Sequence, residues 1–475
     1  MKNLTWQNPE QLFVAQELIN KVKSKCCGVK DKIINRKYNM QFIALIQGLW
    51  VAAILFCFFA KLRIGICLYV AYFILVPYMD INIGVSLQWN LVNTILLFAY
   101  FLKLYGSKSH KFSFKPLVPF LFLFVAQLFE MPFQNEVPLD YEFNFFRQQI
   151  MQYFILPFVI WNYSFIDGKL HEQLKNTVII CICIAFGYGL YLTTTNGVNP
   201  YQIAVMAANG EVWNADYAAV GGGRLFGRIS SVFGHPMTYG LFLGMALIYI
   251  YAIKASLNKY KMIVILLAIV TSIFLCGIRS PIGAFFVTIL VFLLLSHRIK
   301  LMCQVGIVGG IAYLIINSIP ELSNYVGSIF SDDKSNVSGS SFEMRLNQME
   351  GCFWEIRNHL VFGKGFGWTN YYIDTYGDHP IMLAFESLIY VILCNSGIVG
   401  VVIWIIFLLK LFRNTSRIVL NQDIVICALT LTTYYITYSV ITGEYGYMKY
   451  FMLFYTLMLL EGTQKTNNIN RKNNL

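Results

Sequence analysis

Charge is what this chain has least of. Only 13% of its 475 residues are Asp, Glu, Lys or Arg, about half of the ~25% usual in soluble domains. So little charge excludes a soluble globular enzyme, and an apolar content of 57% excludes a disordered chain. Metal-binding cysteine patterns are missing too. Of eleven cysteines none forms a CxxC or a paired Cys/His spacing, and Cys181-Ile-Cys183 is too tight for a zinc site. Cys57, Cys67, Cys276, Cys303, Cys394 and Cys427 lie in or beside apolar segments, where cysteine acts as a small hydrophobe. A cleavable leader is not expected, because 37 residues with eight Lys/Arg precede the first apolar run. No repeat of spacing or motif relates the two halves, which argues against a transporter built from inverted repeats.

What the chain has instead is long uncharged runs, among them 38–60, 81–102, 176–210, 229–253, 280–297, 301–320, 387–409 and 424–443. Runs of about 17 to 25 apolar residues match the hydrocarbon thickness of a bilayer. With a mean hydropathy of +0.58, they predict an all-α polytopic membrane protein of about twelve transmembrane helices, with roughly eleven to thirteen as the range.

The net charge of +12 follows topology rather than nucleic acid, since basic residues between spans mark the cytoplasmic side. Clusters at Lys103 to Lys115, Lys169 and Lys175, Lys254 to Lys261, Arg298 and Lys300, Lys410 to Arg417, and Lys465 to Lys472 alternate with outward segments near 133–147, 196–230, 279–281, 319–385 and 442–447. The expected layout is a basic cytoplasmic segment over 1–37, a transmembrane domain over 38–461 and a cytoplasmic tail over 462–475. Both termini inside require an even number of crossings. Residues 38–105 nevertheless hold three apolar runs where parity permits two, and the weakest, 64–79, reads as a partial or surface helix ending at Pro77 and Asp80.

The segment 319–385 is the one long outward loop, between the tenth and eleventh spans. Its turn-forming stretches and the run Gly363, Gly365, Gly367 flank helix-compatible sequence from Ser341 to His359, and Trp354, Phe362, Phe366 and Trp368 favour order. It is expected to be an extracytoplasmic lid.

Arginine appears where topology disfavours it. Arg224, Arg228, Arg279 and Arg345 fall at or beyond the outer ends of spans. Each alone could snorkel to head groups; four from three segments favour convergence on a phosphate, which guanidinium grips bidentately. Arg224 and Arg228 follow Gly221 to Gly223, and His235 precedes Pro236 at a helix start, as a proton carrier, a phosphate neighbour or simply a cap. Glu386, set between apolar residues at the outer start of a span, is a candidate general base, with Tyr390 one turn further on the same face. The alternative is a carboxylate favoured by the helix dipole.

These segments resemble the O-antigen polymerase and O-antigen ligase superfamily of bacterial membrane glycosyltransferases. The likeness lies in Arg228-Ile-Ser-Ser-Val-Phe-Gly-His-Pro236, Gly277-Ile-Arg-Ser280, a large outer loop with Arg345 upstream of Phe362-Gly-Lys-Gly-Phe-Gly367, and Gly397-Ile-Val-Gly400, over about 228–413. Ligases tend to carry His-Asn where this chain has Glu386-Ser387, so the resemblance favours a polymerase.

The resemblance implies a GT-C-like fold and a multi-pass protein of the bacterial plasma membrane with its active site outside. Its substrates would be donor and acceptor oligosaccharides on undecaprenyl diphosphate, and a chain-length regulator would be a further partner. Glu386, Arg279 and Arg228 would be catalytic, with Arg224, Arg345, His235 and Tyr390 binding diphosphate or glycan. Neither cofactor nor metal is expected, and transfer would invert the anomeric carbon. Transfer of glycan to a lipid or protein acceptor, and flipping of a lipid-linked oligosaccharide, are the alternatives.

Overall fold

The computed structural model describes residues 45–76, 81–82, 86–87, 89–106, 112–133, 136–195, 198–203, 228–278, 280–297, 299–320, 323, 342–443, 446 and 448–473. Apart from two-residue strands pairing Ile81–Asn82 with Ser86–Leu87, these are helices and their connections. In order they are α1 (Leu45–Ala60), α2 (Leu62–Leu75), α3 (Trp89–Tyr105), α4 (Val118–Glu130), α5 (Leu139–Gln149), α6 (Ile155–Ile166), α7 (Lys169–Thr194), α8 (Pro236–Ala252), α9 (Lys259–Leu275), α10 (Ser280–Ser296), α11 (Ile299–Ser318), α12 (Phe342–Glu355), α13 (Trp368–Tyr376), α14 (Leu388–Ile418), α15 (Gln422–Thr442) and α16 (Met448–Asn473). A π-helical turn, Ile150–Phe154, joins α5 to α6.

Side chains that satisfy the first amides open several helices. Asn258 accepts from Tyr260 N to start α9, and Asn421 accepts from Ile424 N to start α15. Among the described residues, Lys115–Phe133, α7, α14 and α15 are long and apolar enough to cross a membrane, and α1, α2, α3, α8 and α10 are shorter apolar helices. Large apolar side chains such as Phe286, Val264 and Leu409 point outward rather than into the core. Such a surface would aggregate in water and is at home in lipid.

Inside the bundle, tyrosines fill the space and settle their hydroxyls on backbone. Tyr434 donates to Gly240 O at 2.9 Å and Tyr438 to Met237 O at 2.8 Å. Gly244 lets α8 approach α15, since a Cβ there would lie 2.0 Å from the Tyr434 ring.

The two ends of the bundle differ chemically. At one end, Arg63 pairs with Asp167 at 3.2 Å, Ser113 N donates to Asn162 Oδ1, Asn414 donates to Lys115 O, and His171 meets Glu461 at 2.8 Å. The basic loops at 61–63, 113–115, 167–169 and 410–417 therefore gather on one side. At the other end, Tyr201 donates to Leu75 O, Tyr153 donates to Gly446 O, and the layer built from 342–387 covers the helix ends.

Residues 62–75 are not a surface segment. Ile66, Tyr69, Val70, Tyr72 and Ile74 are fully buried. Trp50 packs edge-on to Tyr72 and Phe58 to Tyr69, so α1 and α2 form an antiparallel hairpin about Lys61. The reason is close packing at Gly65, where a Cβ would stand 2.9 Å from Phe58 N. The run reads as weak because it is short, 14 residues, and its tyrosines face neighbouring helices.

Candidate functional site

The site begins with a broken helix. Gly397, at φ +58°, interrupts α14, leaving a first segment, 388–396, about 13 Å long and a second, 398–418, about 31 Å long. The break would strand backbone groups at membrane depth. The lid segment 360–365 takes them up. Lys364 N donates to Cys394 O, Gly365 N to Asn395 O, Ile398 N to Leu360 O and Val399 N to Val361 O, at 2.8 to 3.2 Å. The two backbones cross with no room for side chains, because a Cβ on Gly363 would lie 2.5 Å from Ser396 N and one on Gly397 2.6 Å from Gly363 N.

The short first segment of α14 carries one cluster of expected residues. Ser387 caps it by accepting from Ile389 N, so Glu386 precedes the cap and does not occupy the first turn. Glu386 abuts Gly443, the C-cap of α15. Arg345 reaches it from α12. Its Nη2 stands 3.1 Å from Glu386 Oε2, and its Nη1 donates to Glu386 O at 2.7 Å and to Gln348 Oε1 at 3.1 Å. Tyr390 donates its hydroxyl to Arg345 O at 2.9 Å. Arg345, Glu386 and Tyr390 thus form one constellation where lid meets bundle. The paired side chains are 24% and 29% exposed, so solvent reaches the pair and screens part of its attraction.

Arg228 and His235 form a second cluster. His235 caps α8, its Nδ1 accepting from Met237 N at 3.1 Å with Pro236 following, which realises the cap and leaves only Nε2 for other chemistry. Arg228 lies close enough to act on His235 electrostatically. The C-terminal end of α15 connects the clusters, since Tyr438 bonds Met237 O and Gly443, one turn on, touches Glu386. Arg224 and Arg279 lie outside the described residues, as do Ser341, Glu444 and most of the first part of the long loop. Pro281, two residues after Arg279, packs against Gly240 beside the Tyr438 hydroxyl.

A third group was not singled out from the sequence. Lys364 lies between Glu355 and Glu136, 3.2 Å from Glu136 Oε2, and 4.6 Å over the Trp368 ring. His379 faces Glu355 at 3.4 Å and His359 faces Glu136 at 3.0 Å. Burial alone would raise the Glu355 carboxyl, but Lys364, aided by His379, outweighs it and holds the group below its usual range. Burial would likewise lower Lys364, yet Glu355 and Glu136 hold it above the ordinary lysine value. Glu142, only 1% exposed, accepts from Phe366 N at 2.9 Å. Burial pushes its carboxyl up to about 7, against the opposing pull of that amide.

The glycine run 363–367 enclosing Lys364 was the available signal for this network. Nothing in the sequence pattern marked Glu136, Glu142 or Glu355, because their partners lie far along the chain. Comparison with protein-family models, curated proteins and solved structures finds no match.

Proposed function

We propose that this chain is a membrane glycosyltransferase that polymerises oligosaccharide repeat units carried on undecaprenyl diphosphate, at the outer face of a bacterial plasma membrane. The observation that carries the reading is the separable Arg345–Glu386 pair at the junction of lid and bundle. A diphosphate entering there competes for Arg345, with Arg228 and Arg279 as further cations, and strips Glu386 of its counter-ion. The released carboxylate then takes the proton of an acceptor sugar hydroxyl. That oxygen bonds to the anomeric carbon from the face opposite the leaving group, the bond from carbon to phosphate oxygen breaks, and undecaprenyl diphosphate departs with its charge held by the arginines. Donor binding and base activation are thereby coupled, and the outcome is inversion.

The assigned sidedness puts the basic end in the cytoplasm and the lid outside, which is supported by the gathering of basic loops at one end. The buried α1–α2 hairpin supports three crossings between 45 and 105, one more than charge parity predicts; thirteen in all is incompatible with two cytoplasmic ends, so that part of the expected layout is given up in this reading. A GT-C-like relation is part of the same reading and rests on the resemblance.

Complementing a deletion strain with wild type, Arg345→Ala, Arg279→Ala or Glu386→Gln tests the idea through surface glycan lengths. The expected result is loss of long chains while single repeat units are still exported and attached. Disappearance of all surface glycan with these variants would point to ligation or transport, and an unchanged ladder with Arg345→Ala would refute the coupling.

A further inference from the structure

Cys352 and Cys394 sit on the two elements whose relative position sets the Arg345–Glu386 pair. Cys352 lies two turns after Arg345 on α12, and Cys394 lies two turns after Glu386 on the first segment of α14. Their Sγ atoms are 3.7 Å apart. Both side chains are fully buried, within an apolar cluster that includes Ile356, Trp368, Met382 and Phe385. Closing from contact to a bond needs side-chain rotation and a small approach of two already touching helices.

We propose that Cys352 and Cys394 are joined by a disulfide that staples the lid helix to the broken helix. This rests on the reading that the lid faces the oxidising side of the membrane, where disulfides form and persist. The oxidant is a thiol-exchange protein carrying its own disulfide. One cysteine thiolate attacks an oxidant sulfur, giving a mixed disulfide and releasing one oxidant thiolate. The second cysteine attacks the mixed disulfide, closes the Sγ–Sγ bond and expels the other oxidant thiolate. Two cysteine thiols are oxidised, one oxidant disulfide is reduced to two thiols, and the two protons pass to them. Because both thiols are sealed in the docked lid, exchange precedes docking, and the bond then holds the lid down. The closed loop, 352–394, contains Gly363 and ends three residues before Gly397, so the staple sits beside both the break and the arginine.

The test uses the full chain in cell membranes. Cells are quenched in denaturant with a light maleimide, reduced, relabelled with a heavy maleimide, and digested for peptide mass analysis. Cys352 and Cys394 are expected to carry only the heavy label while Cys427 carries the light one. In Cys352→Ser, Cys394 switches to the light label. Cys352→Ser, which cannot form the bond, is expected to raise protease cleavage within the lid at least about tenfold relative to wild type. A Trp354→Cys variant, at a position 59% exposed, reports sidedness through a membrane-impermeant maleimide applied to intact cells. Light label on both Cys352 and Cys394 in wild type, with Trp354→Cys reached from outside, overturns the staple and leaves the sidedness standing. Failure to reach Trp354→Cys until the cells are broken overturns the sidedness and the staple together.

Discussion

Replacing Glu142 by Gln should stabilise the docked lid at alkaline pH and leave it unchanged at acid pH. The docked carboxyl titrates near 7, whereas an undocked lid exposes it to water at the ordinary carboxylate value of about 4.3. A folded-state value raised above the unfolded one means full stability below the unfolded value and progressive loss as pH rises to the folded value. Below about pH 4 the group is neutral in both states and costs nothing. Between about 4.5 and 7 the docked state is increasingly penalised, and above 7 the penalty is constant. A shift of roughly 2.5 units at 1.36 kcal/mol each gives about 3 kcal/mol. Gln keeps an oxygen for Phe366 N and carries no charge, so it removes the penalty. Lid opening is measured by hydrogen exchange of the amides of 360–377 in the membrane-embedded protein, with variant compared to wild type at each pH so that other pH-dependent effects cancel. The variant should be protected by up to about three hundredfold more at pH 8 and about equally at pH 4. Equal protection at both pH values, or weaker protection in the variant at pH 8, would refute a buried carboxylate as the source.

Gly397→Ala places a methyl 2.6 Å from three backbone atoms at a positive φ, and should destabilise lid and break together by about 3 kcal/mol or more; thermal unfolding and lid proteolysis would both report it, and a change under about 0.5 kcal/mol would count against the crossing. Lys364→Met leaves Glu355 and Glu136 without their shared cation, so lid protection should fall by about 2 kcal/mol at pH 8, as read by the same exchange experiment; unchanged protection would count against the network.

Helix-forming runs and their alternation with basic loops were legible because hydropathy and charge are local properties. Arg228, Arg345, Glu386 and Tyr390 could be picked out for a related reason: each is anomalous in its own stretch of sequence. Whether they meet was not, since Arg345 reaches Glu386 through a lid whose path depends on main-chain contacts between residues distant in sequence. The helix over Ser341 to His359 is observed from Phe342 to Glu355, ending where Trp354 and Glu355 give way to the turn that carries His359 toward Glu136. α2 was underestimated because at 14 residues it falls short of a full span, and its burial between neighbouring helices is not visible in the sequence. Glu142 escaped notice because its burial is created by Phe366 and Gly365, far along the chain.

The main-chain closure of the break in α14 has a consequence for how the protein is made. Residues 360–365 leave the ribosome before 394–399 do, and Leu360 and Val361 accept from the amides of Ile398 and Val399. If the lid is not yet in place when α14 partitions from the translocation machinery, the newly inserted helix meets lipid with open peptide groups, each costing several kcal/mol. The chain then either rewinds through Gly397 as a straight helix or is surrendered to quality control. Correct delivery of the lid is therefore a checkpoint in biogenesis, passed or failed within the synthesis of a few helical turns.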